Sequence, residues 1–146
     1  MIVVDTTILV YAVGGDHPLR APSRRLVEMV RDGALTATTT VEVIQEFVHV
    51  RARRRGLSDA ARLGRDLTTL LSPLLRPDVD DLRVGLDLFA ETKALGAFDA
   101  VLAVTARRAG AHALASADNA FAKVDGLRHA DPADDAFEQV LAGVGA

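Results

Sequence analysis

The chain has 146 residues, 49% of them hydrophobic and 25% charged, a balance that fits one folded domain and excludes a disordered chain. It contains no cysteine, which removes disulfides and thiolate metal sites, and its formal net charge of -3 argues against a general nucleic-acid binder. No stretch approaches the roughly 18 unbroken apolar residues of a membrane span, and Met1-Ile2-Val3-Val4-Asp5 lacks the basic start of a signal peptide, so a cytoplasmic location without membrane attachment is expected.

Ile2 to Val4 read as a short buried strand, followed by a helical turn through Ile8, Leu9 and Tyr11 that Gly14-Gly15 and Pro18 break. A helix is expected from about Pro22 to Arg31, closed by Asp32-Gly33, and then a strand over Leu35-Thr36-Ala37-Thr38. Thr39 or Thr40 can cap a helix from Val41 to Arg54 that stops at Gly56. Ser58 is expected to cap the next, which runs to about Leu71 before Ser72-Pro73, and Asp80 or Asp81 opens another to about Leu95-Gly96. Phe98 to Ala109 reads as helix and Ala113 to Ser116 as strand. A turn at Asn119-Ala120-Phe121 leads to a weak strand near Leu127 to His129, and a last helix covers about Asp134 to Leu141. Strands alternating with helices, without hairpin signals or repeats, predict an α/β fold. It is expected to be one domain over 1–146, its core over about 1–132, with a central parallel sheet flanked by helices.

Four carboxylates sit beside apolar stretches: Asp5 after Ile2-Val3-Val4, Glu46 within Val43-Ile44-Gln45-Glu46-Phe47, Asp99 within Ala97-Phe98-Asp99-Ala100, and Asp118 after Ala113-Leu114-Ala115-Ser116. A charge beside a core-forming segment is costly unless compensated, and four that converge without cations repel one another. A divalent ion relieves both costs, and hard oxygen ligands suit Mg²⁺ or Mn²⁺. Asp5 and Asp118 fall where strands end, the address at which open parallel sheets place ligands. Each of these two, and Asp99 in the first turn of its helix, can instead be a capping residue. On the helical wheel Glu46 falls at the border of the apolar face, whereas Glu42 lies nearer the middle of the exposed arc. That selects Glu46 as the ligand and leaves Glu42 as a supporting or merely solvated residue.

Other chemistries fit less well. His17, His49, His112 and His129 are scattered, with no His-Glu-x-x-His spacing, and neither a Gly-x-Ser-x-Gly elbow nor a Gly-x-x-x-x-Gly-Lys loop occurs. Asp5-Thr6-Thr7 lacks the second aspartate of a phosphatase nucleophile loop, and no lysine follows a late strand as in phospho-receiver domains. Arg51, Arg53, Arg54, Arg55, Arg62 and Arg65 crowd one stretch, interrupted by Asp59; they form either a solvated helix face or a phosphate-binding stripe.

Taken in order, Val3-Val4-Asp5-Thr6-Thr7-Ile8-Leu9-Val10-Tyr11, Val43-Ile44-Gln45-Glu46-Phe47, Phe98-Asp99-Ala100-Val101-Leu102-Ala103 and Ser116-Ala117-Asp118-Asn119-Ala120-Phe121 resemble the four acidic motifs of PIN-domain ribonucleases. Val124-Asp125-Gly126-Leu127 with Asp131-Pro132 resembles that family's last strand and exit, so the likeness spans nearly the whole chain. The length is similar to that of VapC-like toxins of bacterial toxin–antitoxin pairs. The resemblance implies a PIN-like fold, Mg²⁺- or Mn²⁺-dependent RNA cleavage, a homodimer and inhibition by a cognate antitoxin. It maps the metal ligands and catalytic groups onto Asp5, Glu46, Asp99 and Asp118. Thr7 and Ser116 stand where the family often has Ser or Asn, and Thr, respectively; both keep a hydroxyl and are expected to support the site.

The expected chemistry is phosphodiester hydrolysis, with Asp5 and Asp99 as direct ligands and Asp118 and Glu46 holding a second ion or its waters. Arg51, Arg53, Arg54 and Arg55 are candidates for steering RNA. The helices at 22–31 and 41–54 are expected to offer apolar surface to an amphipathic partner. The competing expectation is a non-catalytic RNA- or protein-binding module that retains the acidic pocket.

Overall fold

The computed structural model describes residues 1–143. Its element order is β1 (Ile2–Val4), α1 (Thr6–Val13), α2 (Arg20–Arg31), β2 (Ala37–Thr38), α3 (Val41–Arg55), α4 (Leu57–Leu70), α5 (Val79–Glu91), α6 (Ala97–Arg108), β3 (Ala113–Ala115), a 3-10 helix (Asn119–Lys123), β4 (His129–Ala130) and α7 (Phe137–Ala142). The strands form one parallel sheet in the order β2-β1-β3-β4. Ile2, Val3 and Val4 are wholly buried, as are Ala113, Leu114 and Ala115, because helices cover both faces of the sheet. The expected α/β architecture, a parallel sheet flanked by helices, is what forms.

The order of the strands decides where a site can be. From β1 the chain moves to β2 on one side and later returns to β3 on the other, so the β1/β3 boundary is a topological switch point. There the two following loops part and leave a crevice outside the carboxyl ends of the strands. Asp5 leaves β1 at that point, and Ser116 to Asp118 leave β3 beside it.

Several boundaries differ from the sequence expectation, each for a local reason. Ser58 does not cap α4; Gly56 does, at φ 89°, a left-handed conformation that lets α3 turn directly into α4. Neither Asp80 nor Asp81 opens α5: Asp78 is the cap, and Asp81 answers it from the third position in a capping box. The same helix ends at Glu91, short of Leu95-Gly96. The last helix starts at Phe137 because Asp131 and Asp134 hold the preceding residues in turns, accepting from the Ala133 and Ala136 N–H groups. Thr40, one of the two residues expected to cap α3, does so, accepting from the Val43 N–H. Thr39 instead donates to the Val4 carbonyl and ties the start of α3 to the central strand.

Two helical pairs flank the site. α3 packs on α4 across Gly64, where an added Cβ would lie 2.5 Å from a Val48 methyl. α5 packs on α6 across Gly85, where a Cβ would lie 2.7 Å from a Val101 methyl and 2.9 Å from its Cα. Close helix contact at these points requires the absence of a side chain. The α5–α6 pair is also joined by buried Asp81, which accepts from Arg108 Nε at 2.7 Å and Nη2 at 2.6 Å. This two-pronged pairing holds the Arg108 guanidinium more firmly protonated than usual. None of the described helices is long and apolar enough to cross a membrane.

Candidate active site

Asp5 is extended at the end of β1 and buried, and its carboxylate is gripped from both sides of the crevice. Thr7 Oγ1 donates to Asp5 Oδ2 at 2.8 Å, and Ser116 Oγ donates to the same oxygen at 2.7 Å. The two hydroxyls are themselves fixed by the loop after β3: the Ala117 N–H donates to Thr7 Oγ1 and the Asp118 N–H to Ser116 Oγ, each at 3.0 Å. His129 Nε2 in turn donates to the Ser116 carbonyl at 2.8 Å, which anchors that loop to β4. None of these bonds uses Asp5 Oδ1. The network therefore orients the carboxylate and leaves one oxygen available to a ligand.

Asp5, Glu46, Asp99 and Asp118 all line one cleft of about 330 Å³, together with Thr6, Thr7, Val10, Tyr11, Val50 and Arg54. Glu46 arrives from the second turn of α3 and accepts from Thr6 Oγ1. Asp99 arrives from the first turn of α6, and Asp118 caps the 3-10 helix through Ala120 N–H at 2.9 Å. Capping and site placement are thus not alternatives for Asp5 and Asp118; each does the first and lines the cleft as well. Burial, followed by the charges of Asp5, Asp118 and Glu46, pushes the Asp99 carboxyl up to about 7. The part of this displacement that comes from three like charges, beyond that from burial, reports an excess of negative charge around the cleft.

The wheel ranked Glu42 as the more exposed of the two glutamates, and the packing reverses this. Glu46 is the exposed one, while Glu42 is half-buried beside α5 and α6, with a carboxylate oxygen that is buried and has no hydrogen-bond partner. A single-helix wheel cannot foresee cover provided by another pair of helices. Thr6 is a cleft residue that the sequence reading did not single out. Its signal was its place immediately after Asp5, where a helix N-terminus turns its side chain toward the same mouth.

The arginines divide. Arg51 is held within the fold, donating to Asp59 at 2.6 Å and to the Val13 carbonyl at 3.2 Å. Its partner Asp59 is kept below the usual carboxylate range chiefly by that bond. Arg53, Arg54 and Arg55 are exposed and take part in no ion pair among the described residues. Arg54 lines the acidic cleft and also an adjoining depression bounded by Val10, Gly14, Gly15 and Arg55.

Among the described residues no three carboxylate or imidazole groups are already gathered as a metal cage. Mg²⁺ does not need one. It keeps several waters and is held by one or two carboxylates together with substrate phosphate, rather than by an all-protein cage. An acidic, solvent-open cleft with one carboxylate oriented through hydroxyls is the donor set that such an ion takes.

The chain is similar to known proteins over most of its length. Residues 2–127 match the PIN domain family. The chain is 55% identical to the ribonuclease VapC7 of Mycobacterium tuberculosis over 133 residues, 90% of this chain and 92% of that protein. It is 33% identical to the ribonuclease VapC23 of the same species over 125 residues, 84% of this chain and 96% of the relative. The fold superposes on the crystal structure of M. tuberculosis VapC20, a sarcin-ricin loop cleaving toxin, with a TM-score of 0.68 and 18% identity, covering 88% of this chain and 99% of that one. With the fold, the acidic cleft and these relatives in agreement, the chain belongs to the PIN-domain family, among the VapC-type ribonucleases.

Proposed function

We propose that the protein cuts RNA internally as the toxin of a toxin–antitoxin pair, and that cutting depends on Mg²⁺ or Mn²⁺ held among Asp5, Asp99, Asp118 and Glu46. The observation that carries this reading is the meeting of these four carboxylates in one cleft at the β1/β3 switch point. When bound, the ion supplies activation of water and neutralisation of charge on the phosphate. Asp5, fixed by Thr7 and Ser116, and Asp99 are the direct ligands, and Asp118 and Glu46 complete the negative field or position waters. In the metal-free protein the Asp99 carboxyl is raised to about 7, so an ion bound there displaces a proton near neutral pH. Arg54, at the edge of the same cleft, meets the RNA backbone, assisted by Arg53 and Arg55. The working unit is a homodimer in the cytoplasm, where its RNA substrate is, and a cognate antitoxin protein restrains it.

Transcriptome-wide mapping of new RNA 5′ ends after brief induction in a bacterial host tests the proposal, with Asp5→Asn as the comparison. Discrete new ends in the wild-type map alone would establish the activity and name the sequence cut. Identical maps from two folded, soluble proteins would favour a binding module with an inert pocket.

A further inference from the structure

Aromatic side chains are scarce in this chain: one tyrosine, five phenylalanines and no tryptophan. Phe47, Phe121 and Phe137 are buried in the core. Among the described residues Tyr11 is the one aromatic side chain that lines the acidic cleft. The His17 imidazole lies against its ring, with centroids 4.4 Å apart and planes inclined by 23°, a stacked pair.

The loop between α1 and α2 is built around this stack. α1 ends at Val13, and the Gly14 N–H turns back to the Tyr11 carbonyl at 3.3 Å. A Cβ at Gly14 would lie 2.8 Å from the Val10 carbonyl oxygen, so glycine alone permits this exit. His17 then starts the turn into α2. Its carbonyl accepts from the Arg20 N–H at 3.0 Å, and its Nδ1 accepts from the Leu19 N–H at 3.1 Å. The second bond fixes the imidazole plane and leaves the proton of the neutral ring on Nε2. His17 is nevertheless exposed, so burial explains little of its placement. One face of the ring is on Tyr11, and among the described residues no other aromatic ring lies on the second.

We infer that the Tyr11–His17 pair is a stacking platform for one base of the RNA, in a nucleotide next to the phosphate that is cut. The four carboxylates that hold the ion repel the rest of the polyanionic strand, and Arg54 is the one cation lining the cleft. Stacking is a grip that does not depend on charge, and every base has a face to offer. Proteins that read single-stranded RNA commonly splay its bases onto aromatic rings, histidine included. Tyr11 places one end of the column in the same cleft as Asp5 and Asp99, and His17 continues it outside the cleft lining. A strand whose phosphate sits at the carboxylates therefore passes the stack with a neighbouring nucleotide, and its base becomes the third ring. The platform positions the strand and takes no part in bond breaking.

This assignment rests on the RNA cleavage proposed above. A short single-stranded RNA carrying one fluorescent purine analogue, moved position by position along the strand, tests it. The protein is the full chain with Asp5→Asn, so that RNA is held and not cut. Binding should quench the analogue at one position, a result that needs no substitution in the loop. Two variants then separate the ring from the loop bond. His17→Phe keeps a ring and loses the acceptor for the Leu19 N–H, whereas His17→Asn keeps an acceptor and loses the ring. His17→Phe should retain quenching and affinity; His17→Asn should lose the quenching and bind about tenfold more weakly. An abasic nucleotide at the quenched position should cost the parent protein the same factor and His17→Asn nothing further. With Asp5 restored, His17→Asn should raise KM by that factor and leave kcat unchanged, as lost ground-state binding requires. Asparagine retaining affinity while phenylalanine loses it, or a fall in kcat alone, would assign His17 to loop structure and overturn the platform. RNA that binds without quenching at any position would overturn the platform while sparing the cleavage reading; RNA that does not bind would overturn both.

Discussion

Ser116 Oγ donates a 2.7 Å hydrogen bond to Asp5 Oδ2 across a separation of 111 residues, joining the ends of β3 and β1 at the switch point of the sheet. Thr7 Oγ1 meets the same oxygen from the other side. Removing either hydroxyl should free the carboxylate to turn without emptying the core. Ser116→Ala and Thr7→Ala are each expected to lower Mn²⁺ affinity and RNA cleavage about 10–100-fold, the usual cost of losing a group that orients a ligand. Calorimetric Mn²⁺ titration beside a cleavage assay measures both. Equal loss of cleavage with undiminished metal affinity would place these hydroxyls elsewhere in the reaction.

The pH dependence of the metal-free protein follows from Asp99. Its carboxyl is raised from 3.8 to about 7 in the fold, first by burial and then by Asp5, Asp118 and Glu46. The bound proton therefore stabilises the fold fully below the unfolded value, and this contribution is lost as pH rises through 7. Solvent screening of the half-exposed carboxyl limits the effect to roughly 1 kcal/mol, a few degrees in the thermal midpoint. Thermal unfolding in chelator should give a lower midpoint at pH 8 than at pH 5.5, and Asp99→Asn should shrink that difference. Mn²⁺ competes with the same proton, so its apparent affinity should rise over this interval.

Arg54 and Arg51 lie three residues apart on α3 yet should behave differently. Arg54→Ala is expected to weaken RNA binding and reduce the slope of log affinity against log salt by about 1 without altering stability. Arg51→Ala removes contacts to Asp59 and the Val13 carbonyl, so its main effect should be a lower thermal midpoint. Salt-dependent binding to a catalytically silent Asp5→Asn background separates the two.

Gly85 sets the distance between α5 and α6. A Cβ there would press within 2.9 Å of the Val101 backbone, so Gly85→Ala should destabilise the protein by about 1–3 kcal/mol despite its better helix propensity. Denaturant unfolding measures it, and a stabilised variant would mean that the helices can separate at little cost.

Much of this arrangement is legible in the sequence because it rests on local patterns. The alternation of strand and helix gives the layered parallel sheet, and Asp5 and Asp118 announce themselves by following buried strands. Long-range packing is what single-element patterns miss. Glu42 is covered by α5 and α6, Arg51 is drawn inward by Asp59, and Asp81 serves a capping box and Arg108 at once. His129 looked like one of four scattered histidines, and its role in holding the Ser116 carbonyl exists only after β3 and β4 pair. The exposure of Val79, Leu82, Leu86 and Phe89 on α5 was equally hidden, because it depends on how α5 seats against α6.

A divalent ion held jointly by Asp5, Glu46, Asp99 and Asp118 would link metal binding to folding stability. Thermal unfolding of the wild type and of Asp5→Asn, with Mn²⁺ added stepwise after chelation, measures that link. Mn²⁺ should raise the wild-type midpoint in a saturable manner. Asp5→Asn, relieved of one repelling charge, should start higher without metal and no longer respond. Two proteins equally indifferent to Mn²⁺, with equal midpoints in chelator, would contradict a shared site.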